Sequence, residues 1–538
     1  MTPVRRIVNT LAALFLVGLF VAGGASPAHA ASYFPITGSG STWSQNALDQ
    51  WRSNVARNYA MTINYNGVGS TSGRRDFIQG TVDFAISEIP FQANPQDGSA
   101  AENPTTGYAY MPIVAGGTSF MYNLKISGQR VTNLRLSGET IAKIFTGKIT
   151  NWNDAAIKAD NPGLAMPSKT IVPVIRSDGS GTSAQFTLWM SKQFPSIWTT
   201  GMTSQFPSFG NAKAQKGSDG TSGYVSQNYG EGAITYVEYS YAKKAGFPVA
   251  KVLNKAGYYI EPTALSVAVA MTKAQINSDT KSVDYLTQIL DGVYNSSDPR
   301  AYPLSSYSYA IVPTQVAGIF NTDKGNTLSS FMRYVLCEGQ QQADTLGYSP
   351  LPMNLVIAGS DQIKRIPGSG GTGIDTSKCN NPTFKAGDSP SNNVLAQTAP
   401  QPAACDKQGT TQCSTGTGGA TASTKVSGGP ISIGNASCLN PAGCGSGSQA
   451  SGVATGTASG GSAAGGTSDQ SGTNADGTGS SSAGDSMSGS GAASSPYTLT
   501  EDGTGTSRNL MLASAALLLG VVILPPLLSD KLKGGAKP

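Results

Sequence analysis

The sequence has few charged residues and almost no histidine. Its 36 Lys and Arg against 31 Asp and Glu leave a net charge of +5, and charged residues make up 12% of the 538, where about 25% is usual. A balance so close to neutral indicates no basic surface, and no nucleic-acid partner is expected. The single histidine, His29, lies in a segment predicted to be removed. The mature chain therefore lacks Ser-His-Asp triads, Cys-His pairs and His-ligated zinc.

Residues 1–30 are predicted to be a signal peptide. Arg5 and Arg6 precede an apolar run from Leu11 to Ala22, and Ala28-His29-Ala30 has the small residues of a cleavage site. No cysteine follows this site directly, so an N-terminal lipid anchor has no attachment point. The mature chain should be exported with a free N-terminus.

Six cysteines in an exported chain favour disulfides over metal thiolates. Their number alone leaves the pairing open. Their spacing favours three pairs: Cys337 with Cys379, Cys405 with Cys413, and Cys438 with Cys444. No metal site and no cofactor are expected.

The composition changes along the chain. Residues 31–384 have the aromatic and apolar content of a folded region, which is long enough for two lobes. Residues 385–508 consist mostly of Gly, Ser, Ala and Thr, so they cannot bury a core that offsets the entropy of ordering them. They are predicted to be a disordered linker.

Residues 509–528 form an apolar run that is just long enough to span a bilayer. The lysines of the following tail, residues 529–538, predict a cytoplasmic C-terminus and an extracellular globular domain. A buried core helix is the weaker interpretation, because no globular sequence follows that could bury it. A cell-wall sorting signal is also disfavoured, because Leu524-Pro525 follows the apolar run instead of preceding it.

Within the folded region, strand, polar glycine loop and helix recur in that order. Met61–Tyr65 alternates like a strand, Gly67–Gly73 is a glycine and hydroxyl loop, and Arg74–Gln79 opens a helix. Ile171–Ile175 begins a second such unit and Ser183–Lys192 is its helix. This order predicts α/β layers with parallel strands.

Three loops suit an anion, because glycines admit the backbone closely and the first N–H groups of a helix lack partners. They are Gly38–Trp43, Gly67–Gly73 and Asp178–Thr182. Each alone is also an ordinary turn, and none has the spacing of a nucleotide-binding loop. Arg176 offers a forked pair of donors to an oxyanion, and Asp178 is near enough to hold its guanidinium.

At these loops the chain resembles the phosphate-binding proteins of the high-affinity phosphate ABC transporter, which have the type II periplasmic-binding-protein fold. The resemblance spans roughly residues 38–353. It is carried by Gly38–Trp43, Asn64–Ser70, Thr81–Glu88, Arg176–Thr182, Lys216–Gly220 and Ala233–Tyr241, in the family's order.

The resemblance implies a single phosphate site between two lobes. The residues implied are Thr42 and Trp43 in the first loop, Ser70 in the second, Glu88 after a strand, and Arg176, Ser180, Gly181 and Thr182 around the third, with Asp178 in support. Glu88 stands where the family usually has Asp, which accepts the proton of phosphate and repels sulfate. Lobe 1 would comprise residues 31–113 and 306–384, and lobe 2 residues 114–305.

We therefore expect a membrane-anchored solute-binding protein that captures inorganic phosphate and delivers it to the membrane subunits of an ABC permease. A phosphatase would need a nucleophile with an activating base or metal, and the sequence after residue 30 has no histidine and no dense carboxylate cluster. A surface protein that keeps the fold but serves as a sensor or adhesin is the remaining alternative.

Overall fold

The computed structural model describes residues 33–425. The predicted signal peptide, the transmembrane segment 509–528, the tail 529–538, the pair Cys438 and Cys444, and most of the predicted linker lie outside this range. Between residues 33 and 425 no helix combines the length and the apolar character that crossing a membrane requires.

The strands are β1 (Ile36–Gly40), β2 (Ile63–Gly67), β3 (Phe84–Ser87), β4 (Tyr108–Tyr122), β5 (Lys125–Ile126), β6 (Gln129–Arg130), β7 (Arg135–Leu136), β8 (Val172–Arg176), β9 (Lys213–Gln215), β10 (Ala233–Glu238), β11 (Lys251–Leu253), β12 (Tyr259–Ile260), β13 (Gln275–Ile276), β14 (Gln288–Ile289) and β15 (Ser305–Pro313).

The α-helices are α1 (Gln45–Tyr59), α2 (Ser70–Ile78), α3 (Gly138–Phe145), α4 (Ala155–Asp160), α5 (Gly181–Gln193), α6 (Gly217–Ser226), α7 (Tyr239–Ala245), α8 (Ala264–Met271), α9 (Asp291–Tyr294), α10 (Thr322–Leu336), α11 (Ala343–Leu346), α12 (Met353–Ile363) and α13 (Val394–Thr398). Short 3₁₀ helices occupy Asn228–Gly230, Glu338–Gln342 and Ala404–Asp406.

The main sheet has the strand order β2-β1-β3-β15-β4-β10-β8-β9. β1 pairs in parallel with β2 and β3, and β8 pairs in parallel with β10 and β9. These two parallel groups form the sheets of lobe 1 and lobe 2, as the recurrence of strand, loop and helix predicts. The two-lobed α/β fold is therefore confirmed.

Two long strands, β4 and β15, join the lobes. The first part of β4 pairs with β15, and its last part, from Thr118 onward, pairs with β10 of lobe 2. Both strands are buried along nearly their whole length. Burial on both faces explains why their sequences show continuous apolar and small residues instead of a strict alternation.

The predicted start of the disordered linker is wrong for residues 385–425, which we call the C-terminal segment. Asp406 of this segment accepts hydrogen bonds of 2.8 and 2.9 Å from Nζ of Lys251. Arg135 donates to two backbone carbonyls of the segment, and Arg300 donates to two others. The composition averaged over residues 385–508 does not reveal that the C-terminal segment is ordered. Its backbone carbonyls accept hydrogen bonds from cationic side chains of the folded domain.

Disulfides join Cys337 to Cys379 and Cys405 to Cys413, so both of these predicted pairs are confirmed. The first pair links the C-terminal end of α10 to the chain that follows α12. The second closes a short loop inside the C-terminal segment.

Replacing Asp406 by Ala should lower the free energy of unfolding by about 3 kcal/mol, because it leaves the ammonium group of Lys251 buried without its partner. The side chains of this pair are 11% and 10% exposed. Urea denaturation of the wild-type protein and of the Asp406→Ala variant measures the change in the free energy of unfolding.

The matched control is Asp361→Ala, which removes an exposed ion pair with Lys364 and should cost less than about 1 kcal/mol. Equal small effects of the two substitutions would show that the C-terminal segment is not docked in solution.

Candidate functional site

The residues of the expected site gather at the carboxyl ends of four strands. Thr42 follows β1, Ser70 follows β2, Glu88 follows β3, and Arg176 ends β8. In open α/β sheets, ligands bind beyond the carboxyl ends of the strands, where loops from neighbouring strands meet. Here the loops come from both lobes, so the site lies between them.

The carboxylate of Glu88 is buried and accepts hydrogen bonds from three serine hydroxyls. Its Oε1 accepts from Ser41 at 2.6 Å and from Ser308 at 2.8 Å. Its Oε2 accepts from Ser70 at 2.8 Å. A buried charge is tolerated when hydrogen-bond donors replace its hydration, and these hydroxyls do so for Glu88.

Ser70 also links the two lobes. Its Oγ accepts a hydrogen bond of 3.1 Å from the backbone N–H of Gly181, the first residue of α5. Beside it, the N–H of Thr71 donates to the carbonyl of Gly179 at 3.2 Å. The second and third loops are therefore in direct contact, and the cleft is closed in this structure.

Arg176 and Asp178 form a forked ion pair. Nε of Arg176 donates to Oδ1 of Asp178 at 2.8 Å, and Nη2 donates to Oδ2. Oδ1 also accepts from the N–H of Gly217 at 2.9 Å. Burial by itself raises the pKa of Asp178, but the hydrogen bond and charge of Arg176, with the Gly217 N–H, outweigh it and hold the pKa below its ordinary value.

The first loop contacts lobe 2 through Thr42. Its Oγ1 lies 3.0 Å from Oγ of Ser218 and accepts from the N–H of Ser218 at 3.1 Å. The N–H of Trp43 donates to Oγ of Ser41 at 2.9 Å, and its carbonyl accepts from Tyr348 at 2.7 Å. In this closed structure the Trp43 amide is therefore bonded within its own loop.

The N-terminus of α5 has the properties of an anion site. Oγ of Ser180 caps the helix by accepting from the N–H of Ser183 at 3.2 Å. Oγ1 of Thr182 is buried and has no hydrogen-bond partner among residues 33–425. The positive end of the helix dipole and the N–H groups of the first turn favour negative charge here.

The structure thus brings all of the site residues expected from the sequence together at the cleft between the lobes. It adds residues that the sequence analysis did not assign to the site: Ser41 and Ser308 on Glu88, and Ser218 on Thr42. Ser41 stands inside the first loop, so its hydroxyl was visible beside Thr42. Ser308 lies far along the chain, and only the pairing of β15 with β3 places it here.

Comparison with known proteins agrees with this architecture. The PBP superfamily domain matches residues 25–338. The phosphate-binding protein PstS of Xylella fastidiosa (strain Temecula1) is 31% identical over 321 residues, which cover 60% of this chain and 82% of that protein. The chain belongs to the PstS family of the PBP superfamily. PstS2 of Mycobacterium bovis is a further PstS relative, 32% identical over 341 residues that cover 62% of this chain and 87% of PstS2.

Among solved structures, a high-affinity periplasmic phosphate-binding protein (PfluDING) with bound phosphate is similar at 19% identity. It has a TM-score of 0.48 over 64% of this chain and 100% of that protein. The assignment to the PstS family depends on the sequence relatives and not on this likeness. The PstS relatives are named as binding proteins, in agreement with the expectation that the chain is not an enzyme.

Replacing Gly181 by Ala should prevent the lobes from closing. A Cβ atom at Gly181 would lie 2.0 Å from Oε2 of Glu88 and 2.6 Å from Oγ of Ser70. Such overlap should cost about 1 to 3 kcal/mol in the free energy of unfolding. It should also raise the radius of gyration, which small-angle X-ray scattering measures.

Gly223→Ala in α6 is the control, because a Cβ there meets no atom within 4 Å. It should leave the radius of gyration unchanged and add up to about 1 kcal/mol of stability. Indistinguishable scattering from the two variants would contradict close contact between Gly181 and Glu88.

Proposed function

We propose that this chain is an extracellular, membrane-anchored solute-binding protein that captures inorganic phosphate and delivers it to an ABC permease. Membership of the PstS family supports the ligand class, because the relatives are named as phosphate-binding proteins. The observation that carries the proposal is a buried carboxylate, Glu88, set among donors suited to an anion, in the cleft between the lobes.

The donors are chemically suited to a tetrahedral oxyanion. The guanidinium of Arg176 supplies positive charge, and its Nε and Nη2 are held by Asp178. The start of α5 supplies N–H groups and the hydroxyl of Thr182, which is buried without a partner within the described part of the chain. These groups replace the hydration that the anion loses when the lobes close.

Glu88 then distinguishes between oxyanions by whether the bound anion carries a proton. An ionised carboxylate accepts hydrogen bonds but donates none, so it stabilises an oxyanion that still carries a hydrogen. Phosphate carries one and sulfate does not. Two negative charges facing one another in a poorly solvated site repel by a few kcal/mol, which corresponds to a factor of about 100 in affinity.

Calorimetric titration should show that the chain binds phosphate and that sulfate competes about 100-fold less well. Glu88→Gln should narrow this difference, because the amide can donate to sulfate. Arg176→Ala should weaken both anions by about 10- to 100-fold, because the ligand charge loses a charged donor.

Glu139→Gln and Arg75→Ala make the same charge changes at exposed positions of helices. Each of these two control variants should bind phosphate and sulfate with the affinities of the wild-type protein. Wild-type protein that binds sulfate as well as phosphate would refute the role of Glu88, and wild-type protein that binds neither would refute the proposed function.

The membrane anchor is proposed from the apolar run 509–528 and the lysines that follow it. A tether of this kind would keep the binder close to its permease. Truncation before Asn509 should release the protein from washed membranes into the medium. Truncated protein that stays in the membrane fraction would contradict this topology.

A further inference from the structure

The strand pairing places two serines on opposite sides of Glu88. β3 lies between β1 and β15 in the main sheet. Ser87 pairs with Tyr309 in the antiparallel ladder to β15, so the next residue, Glu88, stands beside Ser308. Gly40 pairs with Ile86 in the parallel ladder to β1, so Ser41 comes beside Ser87, and its hydroxyl reaches Glu88 from the side of β1.

Ser308 also stands at an irregularity in the connection between the lobes. In the pairing of β15 with β4, Ser308 lies opposite Val114 but Tyr309 lies opposite Pro112. The extra residue on β4, Ile113, makes this a β-bulge, a feature that redirects side chains next to functional sites. Ser308, next to this bulge, contacts Glu88 from a strand that joins the two lobes.

Each serine hydroxyl has one hydrogen to give. Ser308 and Ser41 both give theirs to Oε1 of Glu88. Because the hydrogen of Ser308 is used, the 3.2 Å contact between Ser44 and Ser308 is a donation from Ser44. The amide of Trp43 donates to Ser41. Both serines are thus oriented by donors of their own.

The two oxygens of Glu88 therefore differ. Oε1 has two donors, which occupy both of its lone pairs. Oε2 has one donor within the described residues, Ser70, and keeps one lone pair. Oε2 is also the oxygen that lies against Gly181 at the start of α5, on the side of lobe 2.

We propose that Ser41 and Ser308 are positioning residues that fill Oε1 of Glu88 and leave Oε2 as the single acceptor for the proton of a bound oxyanion. This inference rests on the proposed function, since it concerns how the same site distinguishes phosphate from sulfate. The longer side chain of Glu has one more rotatable bond than Asp, and the two hydroxyls remove that freedom. Without them the charge of Glu88 no longer faces the ligand in one direction, and sulfate is repelled less.

The test measures the phosphate and sulfate affinities of the full-length chain by calorimetry. Ser308→Ala should lower the ratio of phosphate to sulfate affinity about tenfold. Ser308→Thr keeps the hydroxyl and should restore most of the ratio. Ser41→Ala, on the other side of Glu88, should lower the ratio as Ser308→Ala does.

A double-mutant cycle separates positioning from a general structural effect. In a Glu88→Gln background, Ser308→Ala should leave the ratio unchanged, because the carboxylate through which it acts is absent. The control on the same strand is Ser305→Ala, whose hydroxyl donates to the carbonyl of Tyr302 instead of to Glu88. It should leave the ratio unchanged in both backgrounds.

The inference is overturned if neither alanine variant changes the ratio while wild-type protein prefers phosphate. It is equally overturned if Ser308→Ala changes the ratio as much in the Glu88→Gln background. If Ser308→Ala does not fold, Ser41→Ala decides the matter alone. Wild-type protein that binds no phosphate overturns the proposed function and this inference together.

Discussion

The closed arrangement of this molecule depends on one buried carboxylate and the hydroxyls that satisfy it. Glu88 is 1% exposed, and a charge so buried is costly unless donors surround it. Its donors come from three places in the fold: the loop after β1, the start of α2 and the connecting strand β15. The register of the main sheet is what brings them together.

The same carboxylate lies where the two lobes meet, so closure and ligand selection share their contacts. Ser70 bonds Glu88 in its own lobe and accepts the Gly181 amide of the other. The two lobes can approach each other this closely because a glycine lies on each side of the cleft, Gly69 in lobe 1 and Gly181 in lobe 2. Gly69 has φ +95°, and a Cβ there would lie 2.5 Å from Oδ2 of Asp178. A side chain at either glycine would hold the lobes apart.

Much of this arrangement follows from local sequence. The recurrence of strand, glycine loop and helix predicts the α/β lobes, and the three loops contain all of the expected site residues except Glu88 and Arg176. Ser308 is different, because nothing near it in the chain signals a site and only pairing across more than two hundred residues places it beside Glu88. The C-terminal segment was missed for another reason: its order comes from partners such as Lys251 and Arg135, not from its own composition.

Neutron diffraction from a crystal of the phosphate complex grown in deuterated solvent would test the role of Glu88 most directly. We expect a deuteron on the phosphate oxygen nearest Oε2 of Glu88, with an oxygen–oxygen distance of about 2.5 to 2.7 Å. The deuterons of Ser41 and Ser308 should both point to Oε1. Phosphate bound away from Glu88, or a deuteron carried by Glu88 itself, would show that Glu88 is not the acceptor of the phosphate proton.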